Sequence, residues 1–131
     1  KFEVVNEEGV PVVVMQSWEL GGWVDVKGNK GNTTFNISHN DDGDGIVETS
    51  SANGTPLVEL TATTDGNGVV QTSSANGTTL ASLTATPNGG GVRLWNKTNE
   101  DVIQMSADEY GNGVVGAFNR KGKGRTLQPG P

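Results

Sequence analysis

The chain has 131 residues, a formal net charge of −6, 32% hydrophobic and 5% aromatic residues, 20 glycines and no cysteine. Its length fits one domain, with an apolar share low for a compact one. The composition excludes a disulfide framework or thiolate metal site, disfavours nucleic acid through its acidic balance, and offers nothing near the roughly 20 apolar residues of a membrane span.

Thr-Ser-Ser-Ala-Asn-Gly-Thr occurs at 49–55 and again at 72–78. Alignment outward from these two stretches divides the chain into six units, 1–22, 23–45, 46–68, 69–91, 92–113 and 114–131, the signature of a repeat architecture. The first unit sets Phe2 and Val4, then Val13, Met15 and Ser17, two residues apart. The second repeats the pattern with Val24 and Val26, then Phe35, Ile37 and His39. In the third the residues are Val47 and Thr49, then Val58, Leu60 and Ala62; in the fourth, Val70 and Thr72, then Ala81, Leu83 and Ala85. Leu94, Ile103, Met105 and Ala107 continue it in the fifth, and Val115 and Ala117 in the truncated sixth. Steps of two place these side chains on one face of a pleated strand. No window supplies the three-and-four spacing of a helix.

Each unit is therefore expected to be two short strands and two turns, and the chain to be all-β. Asn-Gly at 53–54, 67–68, 76–77, 88–89 and 112–113, with Asp44-Gly45 in the same role, is expected to supply the positive φ of tight hairpins. Twelve strands stacked at about 4.8 Å give a module about 57 Å long. So thin a core calls for partners. The expectation is an elongated β-prism or β-solenoid forming an intimate homotrimer, with a monomeric β-solenoid as the alternative.

The fifth and sixth units carry Met105-Ser106-Ala107-Asp108-Glu109-Tyr110-Gly111-Asn112-Gly113, then Val114–Phe118 and Asn119-Arg120-Lys121-Gly122-Lys123. This order (a strand ending in Leu or Met and a small residue, Asp-Glu, Gly-x-Gly-Val-Val, then an Asn-x-x-Gly-Lys turn) resembles tandem repeats of bacterial proteins that are extracytoplasmic or surface-associated. The resemblance is clearest over 92–125; at 63–64 and 86–87 Thr-Thr and Thr-Pro replace Asp-Glu. It implies a fold unit and carries no activity. In composition the chain also resembles phage tail fibres and trimeric adhesin stalks, an analogy of architecture only. Because residue 1 is Lys, the chain is expected to lie within a longer product or to follow a cleavage.

Candidate sites are few. Asn40, Asp42 and Asp44 alternate before Gly45 as calcium ligands do, but the twelfth position is Ser51 rather than Glu, so an acidic turn is the expected reading. His39 is the single histidine; only symmetry, with three copies meeting on one axis, would make it a site for a metal or an anion. Catalysis has no nucleophile elbow and no cysteine. The acidic pairs Asp41–Asp42 and Asp108–Glu109 fall in turns, where solvation is expected. No cofactor and no enzymatic activity are expected. Trp23 is expected in the core, whereas Trp18 and Trp95 take polar columns and are candidates for stacking on a surface glycan. Arg120, Lys121, Lys123 and Arg125 form a basic end that could meet an anionic surface. The sequons at Asn32, Asn36, Asn53, Asn76 and Asn96 are read as turn chemistry. The expected role is a shaft or stalk-like module, extracellular, at the cell surface or periplasmic, with a carbohydrate-binding or adhesive module as the alternative.

Overall fold

A computed structural model describes residues 1–19 and 21–129, apart from the side chain of Trp18. It is all-β, with twelve strands and no helix among the described residues; none is therefore long and apolar enough to cross a membrane. The strands are β1 (Phe2–Val5), β2 (Pro11–Trp18), β3 (Gly21–Lys27), β4 (Thr33–His39), β5 (Gly45–Ser50) and β6 (Pro56–Ala62). They continue as β7 (Gly68–Ser73), β8 (Thr79–Thr86), β9 (Gly89–Trp95), β10 (Asp101–Ala107), β11 (Gly113–Phe118) and β12 (Gly124–Leu127). All lie in one open antiparallel sheet in chain order. Short loops dictate this meander, since a connection of a few residues can only return antiparallel to the neighbouring position.

Among the described residues nine hairpins share one turn. In the β5–β6 hairpin the Ser51 N–H donates to Thr55 O at 2.8 Å and the Gly54 N–H to Ser51 O at 2.9 Å, and Gly54 has φ 81°. This is a type I turn followed by one left-handed residue and a bulge. In eight of the nine, all but the turn that begins at Gly28, the first turn residue also uses its side chain. Asn6 Oδ1 accepts from the N–H of Glu8 at 3.1 Å and of Val10 at 2.9 Å. Asn119 Oδ1 does the same for Lys121 and Lys123. Small polar residues dominate this position because their short side chains reach backbone donors two and four residues on.

The Asn-Gly expectation holds at Gly54, Gly77 and Gly89, which have positive φ, and is corrected elsewhere. Gly45, Gly68 and Gly113 open strands and are not left-handed; the positive φ belongs to Gly43, Gly66 and Gly111. Asn67 and Asn112 close their turns by accepting, through the backbone carbonyl, from Thr63 N–H and Asp108 N–H. The β2–β3 and β8–β9 hairpins differ, pairing Trp18 with Gly21 and Thr86 with Gly89 across two-residue loops. There the repeat shortens: Phe2 to Val24 and Val70 to Val92 span 22 positions, against 23 for Val24 to Val47.

The columns read from the sequence are the register of the sheet. Met15 pairs with Phe2 and Val24, Ile37 with Val24 and Val47, Leu60 with Val47 and Val70, and Leu83 with Val70 and Val92. Partners in register share a face, so an unbroken apolar row crosses one side of the sheet. The opposite side runs Glu3, Val14, Asp25, Asn36, Glu48, Glu59, Gln71, Ser82, Arg93 and Gln104. The buried hydrophobic core consists of Val14 alone among the described residues, and Val14 lies on the polar side. The columns expected to point into a core are instead half-exposed or exposed, because no second layer of this chain covers them.

Candidate functional site

The polar side of the sheet positions the side chains that could contact a ligand. At its first hairpins, Asn36 Nδ2 donates to Asp25 Oδ1 at 2.8 Å and Ser38 Oγ donates to Asn36 Oδ1 at 2.6 Å. Trp23 is half-buried on this side and lines a groove of about 350 Å³ with Asp25, Asn36, Ser38 and His39. It is thus not in the core, as its alignment with Ile46 and Val69 of the next units had indicated: position 23 pairs with Gln16, on the polar side. Asn36 also departs from the turn reading, since it lies mid-strand in β4.

His39 ends β4, and its ring lies against the backbone of Gly21, which leaves no room for a side chain there. Nδ1 stands 2.9 Å from Asn40 O; a carbonyl only accepts, so Nδ1 carries the hydrogen of this bond. The acidic turn beside it is closed on itself. Asn40 Oδ1 accepts from Asp42 N–H at 3.0 Å and Asp44 N–H at 2.8 Å, while Asn40 Nδ2 donates to Asp44 Oδ2 at 3.2 Å. The oxygen of Asn40 that a cation would need is committed to backbone donors. Among the described residues, no group of three or more His, Asp or Glu side chains is placed to hold a metal ion.

Further along, Trp95 is half-buried at the end of β9. It shares a groove of about 450 Å³ with Arg93, Gln104, Ser82 and Ser106. Here an aromatic ring and several hydrogen-bonding side chains from three strands, β8, β9 and β10, meet. Trp18 belongs to β2, but its side chain lies outside the described residues.

The basic end divides. Arg120, Lys121 and Lys123 occupy the β11–β12 turn, whereas Arg125 is in β12 opposite Ala117, on the apolar side. Arg120 and Lys121 line a groove of about 590 Å³ together with Glu100 and Asp101, so carboxylates offset part of the positive charge. Glu100 is held below the usual glutamate range, chiefly by the Thr98 hydroxyl and then by the Asn96 side chain, with Arg120 contributing least. Asp108 is likewise held low, first by the Asn112 backbone N–H. These shifts arise from exposed turns and mark no reactive pair.

No family model matches this chain, and no curated protein sequence matches it. The first-turn-residue signal that the Asn-Gly reading missed was present as spacing. In eight of the nine shared turns a small polar residue stands three positions before the left-handed one, as in Asn6 with Gly9, Ser74 with Gly77 and Asn119 with Gly122; Gly28 before Gly31 is the exception.

Proposed function

We propose that the chain is a non-catalytic structural module, a shaft or stalk-like segment of an extracytoplasmic or surface protein, assembled as a homotrimer of β-sheets in a prism. The observation that supports it is strictly sequential pairing: each strand bonds only its neighbours in the chain. Such a molecule is quasi-one-dimensional, so its length is set by the number of repeats. The likeness of residues 92–125 to tandem repeats of surface-associated bacterial proteins agrees with this role.

Deleting one unit, residues 46–68, tests it. Gly45 then precedes Val69, and the register of every other pair is kept. The expected result is a folded protein whose maximum dimension in solution scattering falls by about 10 Å, two strand spacings, with a mass near three times 13.6 kDa before correction for the deletion. An unfolded or dimensionally unchanged product would remove the spacer reading.

A second reading, a carbohydrate-binding module, is favoured by the Trp95 groove alone. A flat ring beside Arg93 and Gln104 suits the C–H face and hydroxyls of a sugar. It expects glycan-array binding that Trp95→Ala abolishes.

A further inference from the structure

The two sides of the sheet differ in charge as well as hydropathy. Glu3, Asp25, Glu48, Glu59 and Arg93 all stand on the polar side. On the apolar side the strand residues include one charged side chain, Arg125, in the last strand. Met15, Ile37, Leu60 and Leu83 remain 45%, 43%, 43% and 52% exposed there. The whole chain presents 8926 Å² to solvent, whereas a compact monomer of its mass presents about 6,600 Å². The excess, about 2,300 Å² per chain, matches what obligate self-association buries and exceeds a standard transient interface.

The relief of this surface narrows the partner. Long side chains stand on alternate strands, Met15, Ile37, Leu60, Leu83 and Met105, and valines stand between them at 24, 47, 70 and 92. Beside the valines the same strands carry glycine, as at Gly45 and Gly68, so that Ile37 and Leu60 bound a groove of about 410 Å³ floored by Val47 and Gly45. Ridges and grooves thus alternate with a pitch of two strands, about 9.6 Å. Ridges at that pitch seat along their full length only in grooves of the same pitch, and the surface that has them is this one.

We propose that the apolar side is the self-association surface of the chain and that its occupant is the same face of another copy. Ridge residues of one copy lie over the Val–Gly grooves of the next at the roughly 10 Å separation of packed sheets. This rests on the structural reading above and assigns its interface.

The chain contains no cysteine, so single introduced thiols report cleanly. Leu83→Cys probes a ridge; Ser82→Cys, next to it, probes the polar side. In an isolated sheet residue 83 is exposed and residue 82 half-buried, so the L83C thiol would react faster with a maleimide. The proposal expects the reverse: an oligomer by sedimentation equilibrium in which the L83C thiol reacts at least tenfold more slowly than the S82C thiol. Leu60→Lys and Leu83→Lys should shift the mass toward monomer, and the thiol rates decide the matter if those two fail to fold. An oligomer whose L83C thiol stays open overturns the interface and leaves the structural module standing. A monomer, whether that thiol is open or protected, overturns both the interface and the homotrimer.

Discussion

Glu48 and Glu59 face each other in register across β5 and β6, on the polar side of the sheet. Each carboxylate has a neighbour of its own: Ser50 Oγ donates to Glu48 Oε1 at 2.6 Å, and Gln71 Nε2 donates to Glu59 Oε2 at 3.0 Å. These bonds hold the charges in place without neutralising them. Like charges directly opposite destabilise a sheet, while opposite charges or neutral pairs contribute about 0.2–1 kcal/mol. Glu48→Gln should therefore raise the urea midpoint by an amount in that range. The gain should shrink in high salt, because screening already weakens the repulsion in the parent. An unchanged midpoint at low salt would show that the two side chains splay apart in solution.

Asn99 occupies in the β9–β10 turn the place that Gly54 has in the β5–β6 turn, at φ 64° against 81°. A left-handed residue bearing Cβ is disfavoured by roughly 1–2 kcal/mol, and asparagine carries less of that cost than other residues. At position 54 nothing crowds an added Cβ within 4 Å, so the backbone preference acts alone. The stability order expected for residue 54 is Gly, then Asn, then Ala, with Ala about 1 kcal/mol below Gly. Chemical denaturation of the three proteins checks it. Equal midpoints for Asn and Ala would mean that the turn does not hold its left-handed residue.

Asp108 accepts at Oδ1 from the N–H of Asn112 at 2.8 Å and of Tyr110 at 2.9 Å, and at Oδ2 from Asn112 Nδ2 at 3.2 Å. These donors favour the ionised carboxylate, so the folded state holds its proton affinity below that of the unfolded chain. The stabilisation is complete above the ordinary aspartate range and is lost as pH falls through the lowered folded value. Asn40 and Asn119 serve the same turn position with an uncharged oxygen. Asp108→Asn should therefore keep the hairpin at neutral pH and flatten the acid limb of the stability curve below about pH 4. A variant whose acid limb overlays the parent's would place the titrating group elsewhere, with Glu100 the next to replace.

The register of the sheet was legible because a two-residue period over successive strands leaves little freedom. Met15, Ile37, Leu60 and Leu83 could share a face in only one alignment, and that alignment is the observed one. Trp23 was misplaced for a related reason: its neighbours Val24 and Val26 define the apolar side, and alternation puts position 23 on the other. The number of layers was not legible. Val47 opposite Leu60 would look the same in a sandwich, a prism or a lone sheet, since alternation records that a face is dry without recording what covers it. Trp95 showed its polar column in the sequence, but its company did not. Arg93 shares its strand, whereas Gln104 and Ser82 reach it from β10 and β8.

Gly116 in β11 is buried beneath the ring of Phe118 two residues on, where both fall on the polar side. A Cβ at Gly116 would stand 2.6 Å from Phe118 Cζ and 2.7 Å from Cε2. Elsewhere in a strand, Gly→Ala is a gain of roughly 0.5–1 kcal/mol through the unfolded chain's lost freedom. At position 116 the ring must swing away, and the overpacking cost of about 1–3 kcal/mol outweighs that gain. Gly116→Ala should therefore destabilise the β10–β11–β12 end, visible as faster amide exchange at Gln104 and Thr126, the register partners of Gly116. Phe118→Ala removes the obstacle, so in its background Gly116→Ala should become neutral or stabilising. The sign of the coupling in that double-mutant cycle is the decisive quantity. If Gly116→Ala gains stability with Phe118 intact, the ring does not rest on the glycine, and β12 is held by its backbone ladder alone.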